Sequence, residues 1–212
     1  MNSLVSVFTS SIGKKLLMAV TGFCFCAFLV VHLIGNLTVY GGSGMFNAYV
    51  EHLHSLGVLI NVAELGLLTL AIVHVTTGTI LFIQNWLARP VRYAGRKNAG
   101  GRTIGSATMP YTGFIILLFL ILHLAGFRFT DHTGRTVFEI LTGTLSSPLL
   151  AVIYIAAVLV VAVHISHGFW SLFQTVGFNH ARYMPLIILL GWVFSVVVAA
   201  GFGLIPIYVL VI

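Results

Sequence analysis

The stretch PLLAVIYIAAVLVVAVHISHGFWSLFQ, residues 148–174, carries no charged side chain, and its length decides the fold. A helix of about 20 apolar residues crosses the roughly 30 Å hydrocarbon core of a bilayer, so this stretch predicts a transmembrane helix. Ser146, Ser147 and Pro148 are typical of a helix start. The crossing is therefore expected from about residue 148 to 174.

Four other stretches of the chain have the same character. Only 7% of all residues are charged and 59% are hydrophobic, whereas about a quarter of the residues of a soluble domain are charged. The sequence thus predicts one all-α domain over residues 1–212, an integral membrane bundle of five helices. The other four crossings are expected from 16 to about 40, between 64 and 89, from near 110 to 128, and from 185 to the C-terminus.

The basic residues predict how the bundle is oriented, because cytoplasmic loops near membrane spans carry an excess of lysine and arginine. One side has only Arg128 and Arg135, and the other has Lys14, Lys15, Arg89, Arg92, Arg96, Lys97, Arg102 and Arg182. We therefore expect a cytoplasmic N-terminus and an external C-terminus. The net charge of +6 then reflects topology, and it does not indicate a nucleic-acid partner. The first apolar run is too long for a cleaved signal peptide.

Four histidines lie inside four different crossings: His32, His74, His123 and His164. An ionisable residue at membrane depth is a functional-site candidate, and a helix-borne imidazole is a common axial ligand of haem iron. A lone histidine would more often hydrogen-bond a neighbouring helix, but four of them make two bis-histidine sets. Since alternate crossings run in the same direction, the expected pairs are His32 with His123 and His74 with His164.

A glycine follows each of these histidines by about one helical turn: Gly35, Gly78, Gly126 and Gly168. A missing side chain leaves room for a flat macrocycle, although close packing of membrane helices uses glycine as well. His167 lies almost on the same helix face as His164 and competes with it as a ligand. His164 is preferred, and His167 is interpreted as a neighbouring group that supports the ligand or contacts a propionate.

Several stretches resemble a known family: HLIGN at 32–36, NAYVEHLHSLG at 47–57, ARPVRYAGRK at 88–97 and HISHGFWSLFQTVGFNHARY at 164–183. They are similar to the single-chain dihaem cytochrome b anchor of succinate:quinone and quinol:fumarate oxidoreductases, and the likeness covers nearly the whole chain. The family's haem ligands, one histidine on each of the first four crossings, match His32, His74, His123 and His164. The family pairs the first crossing with the third, nearer the outside, and the second with the fourth.

The resemblance implies a multi-pass subunit of the bacterial cytoplasmic membrane that binds two haem b groups. It also implies a flavoprotein subunit and an iron-sulfur subunit at the cytoplasmic face. Menaquinone or ubiquinone would be the substrate in the membrane, and no dicarboxylate chemistry would occur in this chain. The sequence leaves open the direction of the reaction and whether two complexes form a dimer.

Quinone chemistry needs a proton acceptor, and Glu51, beside His52 and His54 in the first outer loop, is the candidate catalytic residue; a solvated loop glutamate is the alternative. Some fumarate reductases of this family carry a glutamate two residues before the fourth ligand. This chain has Ala162 there, so a transmembrane proton path through that position is not expected.

Two other classes compete with this interpretation. Hydrogenases and formate dehydrogenases also have cytochrome b subunits with membrane histidines, but their enzymes usually face the outside. A haem-free transporter would use the histidines as proton relays, and it predicts an inverted repeat and interrupted helices that the sequence does not display.

Overall fold

Five long helices form the computed structural model of the chain, which describes residues 10–88 and 103–212. Each of the five is long and apolar enough to cross a membrane. They are α1 (Ser11–Leu37), α3 (Val58–Leu87), α4 (Ile104–Phe127), α6 (Pro148–Thr175) and α7 (Met184–Val211), and two shorter helices, α2 (Gly42–Ser55) and α5 (Val137–Leu145), lie between them. The predicted all-α fold with five spanning-length helices is confirmed. The basic positions 89 to 102, with most of the ARPVRYAGRK stretch, lie outside the described residues.

The boundaries of the helices follow their caps. The Ser10 hydroxyl accepts from the Gly13 amide at the start of α1. A capping box of Thr103 and Ser106 begins α4, six residues before the start predicted at Pro110, which lies inside the helix instead. The predicted fourth crossing agrees with α6 to one residue at its C-terminal end.

The first outer segment differs from the predicted loop, because residues 42–55 form α2. Phe46 is buried and Val50 and Leu53 are half-buried, a spacing of three to four residues that gives a helix one apolar face. Gly57, at φ +55°, then turns the chain into α3 with a backbone conformation that favours glycine. Glu51, His52 and His54 are therefore held on a helix.

Contacts between helix ends define the two ends of the bundle. Lys14 Nζ donates to Gln84 Oε1 over 2.7 Å, which joins the start of α1 to the end of α3. At the other end the Arg128 guanidinium binds the Glu64 carboxylate at 3.1–3.3 Å, joining α3 to α4. We call these the Lys14 end and the Arg128 end. Successive long helices therefore run in opposite directions.

The best-buried cluster lies where α2 and α5 meet the long helices. It consists of side chains from both short helices, from the 3-10 helix Thr38–Gly41 that joins α1 to α2, and from the ends of α6 and α7: Val39, Phe46, Leu141, Leu145, Tyr154, Ile205 and Val209. The Asn47 side-chain oxygen also accepts from the Phe138 amide over 3.2 Å, linking α2 to α5. The short helices are thus packed on the bundle at one end.

Helix α7 packs mainly along α6 and also against α1. Gly191 contacts Phe169 of α6, and a Cβ at Gly201 would lie 2.7 Å from a Leu33 methyl of α1. The Ser195 hydroxyl is buried and donates to the Gly191 carbonyl over 2.8 Å. Small residues therefore let α7 approach its neighbours closely.

Candidate functional site

Each of the four intramembrane histidines is half-buried and lies on a different helix of the bundle. His32 is on α1, His74 on α3, His123 on α4 and His164 on α6. Each histidine ring contacts a side chain of a neighbouring helix.

His32 and His123 lie directly opposite each other. Their ring centroids are 6.0 Å apart and their planes are at 85°. Metal–imidazole bonds are about 2.0–2.1 Å long, so two rings on opposite sides of one metal ion have centres roughly 6 Å apart. This separation is compatible with two histidines bound to one metal ion, and it also describes an edge-to-face contact of two rings.

Aromatic rings surround this pair on both sides. Phe28 stacks on His32 at 5.1 Å, and Phe202 of α7 lies 5.4 Å from the same ring. The rings around His123 belong to Phe119, Phe127 and Tyr154, at 5.2–6.0 Å. These neighbours are flat, mostly apolar rings, and such rings suit the enclosure of a flat macrocycle.

His74 and His164 are the second predicted pair, and each ring is hydrogen-bonded to a threonine of a neighbouring helix. The His74 Nδ1 atom lies 2.8 Å from the Thr21 hydroxyl of α1, and the His164 Nδ1 atom lies 2.9 Å from the Thr112 hydroxyl of α4. Thr21 and Thr112 were not predicted as site residues. Along α1, Thr21 precedes His32 by eleven positions, so the two sets are separated by about 16 Å along the bundle.

The polar partners of the first set are more distant. Asn36 Nδ2 lies 3.4 Å from His32 Nδ1 and donates to the His32 carbonyl over 2.8 Å. The Tyr154 hydroxyl lies 3.5 Å from His123 Nδ1. In the described part of the chain, the side-chain hydrogen bonds of all four rings are made by Nδ1, so Nε2 is the ring nitrogen that could bind a ligand.

The four glycines predicted to pack against a macrocycle have different surroundings. A side chain at Gly35 would overlap the Tyr49 ring of α2, and one at Gly78 would lie 3.4 Å from the Met18 methyl. The nearest atom to a Cβ at Gly126 would be the Tyr154 hydroxyl, and Gly168 has nothing within 4 Å. Packing of these glycines on a macrocycle stays a prediction.

Two other glycines lie directly against histidine rings. A Cβ at Gly22 would be 3.8 Å from His74 Cε1, and one at Gly113 would be 3.5 Å from His164 Cε1. Each glycine follows one of the hydrogen-bonded threonines in the sequence. Sequence reasoning missed them because each acts on a histidine of another helix.

His167 contacts a different part of the bundle from His164. Its Nδ1 atom lies 3.3 Å from the hydroxyl of Thr103, the N-cap of α4, and its ring meets Trp170 edge-on at 4.7 Å. A Cβ at Gly105 would lie 2.6 Å from the His167 Cβ. His167 thus packs against the start of α4, at the Lys14 end.

A small cavity of about 180 Å³ opens between α2 and the start of α5. Its lining includes three ionisable side chains, Glu51, His54 and Arg135. The nearby Glu139 carboxylate accepts from the Thr136 amide over 2.7 Å and from the Thr136 hydroxyl over 3.1 Å. These bonds hold the pKa of Glu139 below its ordinary value, and they tie this carboxylate to the start of α5.

A haem site needs no cluster of three or more protein ligands. Residues 10–88 and 103–212 contain no group of three or more His, Cys, Asp or Glu side chains that could hold a metal ion. A bis-histidine haem needs only two protein ligands because the porphyrin supplies the others. The paired histidines and their aromatic surroundings fit haem.

A comparison with characterised proteins gives one relative. The chain is 27% identical over 155 residues to the succinate dehydrogenase cytochrome b558 subunit of Bacillus subtilis (strain 168), and the matched residues cover 71% of this chain and 72% of that protein. No protein-family model matches the chain, and no solved structure matches it significantly. The five spanning helices and the bacterial relative agree with the predicted location, a multi-pass protein of the bacterial cytoplasmic membrane. The resemblance indicated by the sequence motifs is confirmed: the chain is similar to a cytochrome b subunit of succinate dehydrogenase.

Proposed function

We propose that this chain is the dihaem membrane anchor of a succinate dehydrogenase or fumarate reductase complex. It would carry electrons between quinone in the membrane and the iron-sulfur and flavoprotein subunits at the cytoplasmic face. The observation that carries the proposal is the pair His32 and His123, two imidazoles from different helices at the separation of bis-histidine ligation. The name of the Bacillus relative supports the same assignment.

The chain's own residues would hold two haem b groups, one between His32 and His123 and the other between His74 and His164. Haem, when bound, supplies one-electron transfer, and the protein sets its position and its potential. Phe28, Phe119 and Phe202 line the first set and would exclude water from it.

Quinone would exchange its protons at the Arg128 end, where Glu51 lines the cavity with His54 and Arg135. The Glu51 carboxylate is exposed and can take up a proton from quinol and release it to solvent. Arg135 would attract the developing negative charge of a deprotonated head group. This end is the external one if the N-terminus is cytoplasmic.

The partner enzyme can be identified by its electron donor. We expect succinate to reduce the haem absorption bands of the complex isolated in mild detergent, and added quinone to reoxidise them. Reduction by formate or hydrogen, with no response to succinate, would instead identify the chain as the cytochrome b of a formate dehydrogenase or hydrogenase.

A further inference from the structure

The hydroxyls of Thr21 and Thr112 are buried polar groups in the membrane, where each must find hydrogen-bond partners. Their side chains are 3% and 8% exposed. The Thr21 hydroxyl donates to the Leu17 carbonyl over 2.7 Å, and the Thr112 hydroxyl donates to the Thr108 carbonyl over 3.0 Å. In this arrangement each hydroxyl donates its one proton to a carbonyl of its own helix.

A hydroxyl whose proton is already donated can only accept at its remaining lone pairs. With the hydroxyl proton on the carbonyl, the Nδ1 atoms of His74 and His164, 2.8 and 2.9 Å away, are the donors of these two bonds. In a neutral imidazole with its proton on Nδ1, the lone pair is on Nε2. The threonines thus select the tautomer that can bind a metal through Nε2.

The two threonines occupy equivalent places in a repeated piece of sequence. The tripeptide TGF occurs at 21–23 and again at 112–114, each time eleven positions before the histidine of the same helix, His32 or His123. In both copies the threonine binds the ring of a histidine on another helix, and the glycine leaves room for that ring. Two independent helices therefore deliver the same hydrogen bond to the two members of one set.

We propose that Thr21 and Thr112 are positioning residues that orient His74 and His164 and hold the Nε2 lone pair of each toward one shared haem iron. The inference rests on the proposed function, since it needs haem to bind at this set. A bond from Nδ1–H also makes the ring a stronger electron donor, and loss of such partners typically weakens metal binding about 10–100-fold.

The test uses the whole complex purified with its subunits. Thr21→Val and Thr112→Val remove the hydroxyl and keep the side-chain volume, whereas Thr21→Ser and Thr112→Ser retain the hydroxyl. Thr69→Val and Thr108→Val are matched controls, because these hydroxyls make the same bond within their helices without a histidine partner. The readouts are haem content and the two haem reduction potentials.

We expect both valine variants to lose, or to shift upward in potential, the same one of the two haems, while both serine variants and both controls resemble the wild type. If the weakening falls on the ferric form, a tenfold loss of affinity raises the potential by about 59 mV for one electron. The unchanged second haem serves as an internal check that the variant has folded.

Three results would overturn the inference. In the first, both valine variants keep two unchanged haems. In the second, the Thr21 and Thr112 substitutions affect different haems. In the third, a valine variant loses both haems together. Failure of the proposed function would be distinguishable, since the wild-type complex would then contain no haem, or its haems would be reduced by formate or hydrogen and not by succinate.

Discussion

The contacts of the two rings support the choice of His164 over His167 as the ligand. His164 is hydrogen-bonded to Thr112 in the middle of the bundle, and His167 lies against the N-cap of α4. In the sequence, the preference for His164 rests on the position of Gly168 and on the family resemblance.

We therefore predict that His164→Ala removes one haem of two and that His167→Ala leaves both. The physical reason is that an axial ligand cannot be replaced by a methyl group, whereas a contact at a helix start can be lost without affecting the iron. Pyridine haemochrome content of the purified complex measures both variants. Loss of a haem from the His167 variant alone would reverse the assignment.

Glu51 provides a second prediction at this scale. Glu51→Gln keeps the size of the side chain but cannot take up a proton, and general acid–base groups contribute about 10²–10⁴-fold to rate. We expect quinol turnover to fall by about that range while both haem spectra stay unchanged.

The matched control for Glu51 is His52→Gln, on the same helix but outside the cavity lining. It should turn over like the wild type. Normal turnover of the Glu51 variant would show that this carboxylate is a solvated surface group with no part in proton exchange.

At the scale of the element, α1 and α2 are held together at Gly35, where a side chain would overlap the ring of Tyr49. Overpacking of this kind typically costs about 1–3 kcal/mol. Gly35→Ala should therefore lower the thermal stability of the complex, and the double variant Gly35→Ala with Tyr49→Ala should recover part of the loss.

Thermal unfolding and haem content together separate the two interpretations of Gly35. The contact with Tyr49 predicts destabilisation that the second substitution relieves. A role in packing a macrocycle predicts loss of one haem that a change at Tyr49 does not restore.

The helices were predictable from the sequence to different degrees, for physical reasons. The bounds of α6 follow from an uninterrupted apolar run that starts at a proline. The start of α4 was predicted too late because Pro110 resembles a first-turn proline, whereas the polar capping box at Thr103 begins the helix earlier. Helix α2 was expected as a loop because most of its residues are polar or glycine. The structure shows that it has an apolar face, on which Phe46 is buried.

The contacts of the histidine rings could not be predicted from spacing. Thr21 lies 53 positions from His74, and Thr112 lies 52 positions from His164. Whether such residues meet depends on how each helix is rotated in the bundle. Sequence did place the histidines on separate helices and paired His32 with His123, the pair that the structure brings together.

At the scale of the whole molecule, the bundle has two chemically different ends. The Arg128 end carries the Glu64 ion pair, the two short helices and the cavity near Glu51. The Lys14 end carries Lys14 and Lys15 at the start of α1 and Arg182 between α6 and α7. This asymmetry suits an assembly with quinone chemistry at one end and a partner subunit at the other.

Orientation in the membrane is directly measurable with single cysteines at exposed positions. Thr133 follows α4 and His180 follows α6, and both are exposed. We expect a membrane-impermeant maleimide to label Thr133→Cys in intact cells or spheroplasts, and to label His180→Cys only after the membrane is opened. The opposite pattern would place the N-terminus outside.

The number of haems per chain shows whether the four helix-borne histidines bind two haems. The measurement is the pyridine haemochrome content of the purified complex, expressed per copy of this chain. We expect two b-type haems per chain. A chain purified intact with its subunits but without b-type haem would contradict it and return the histidines to helix packing or proton relay.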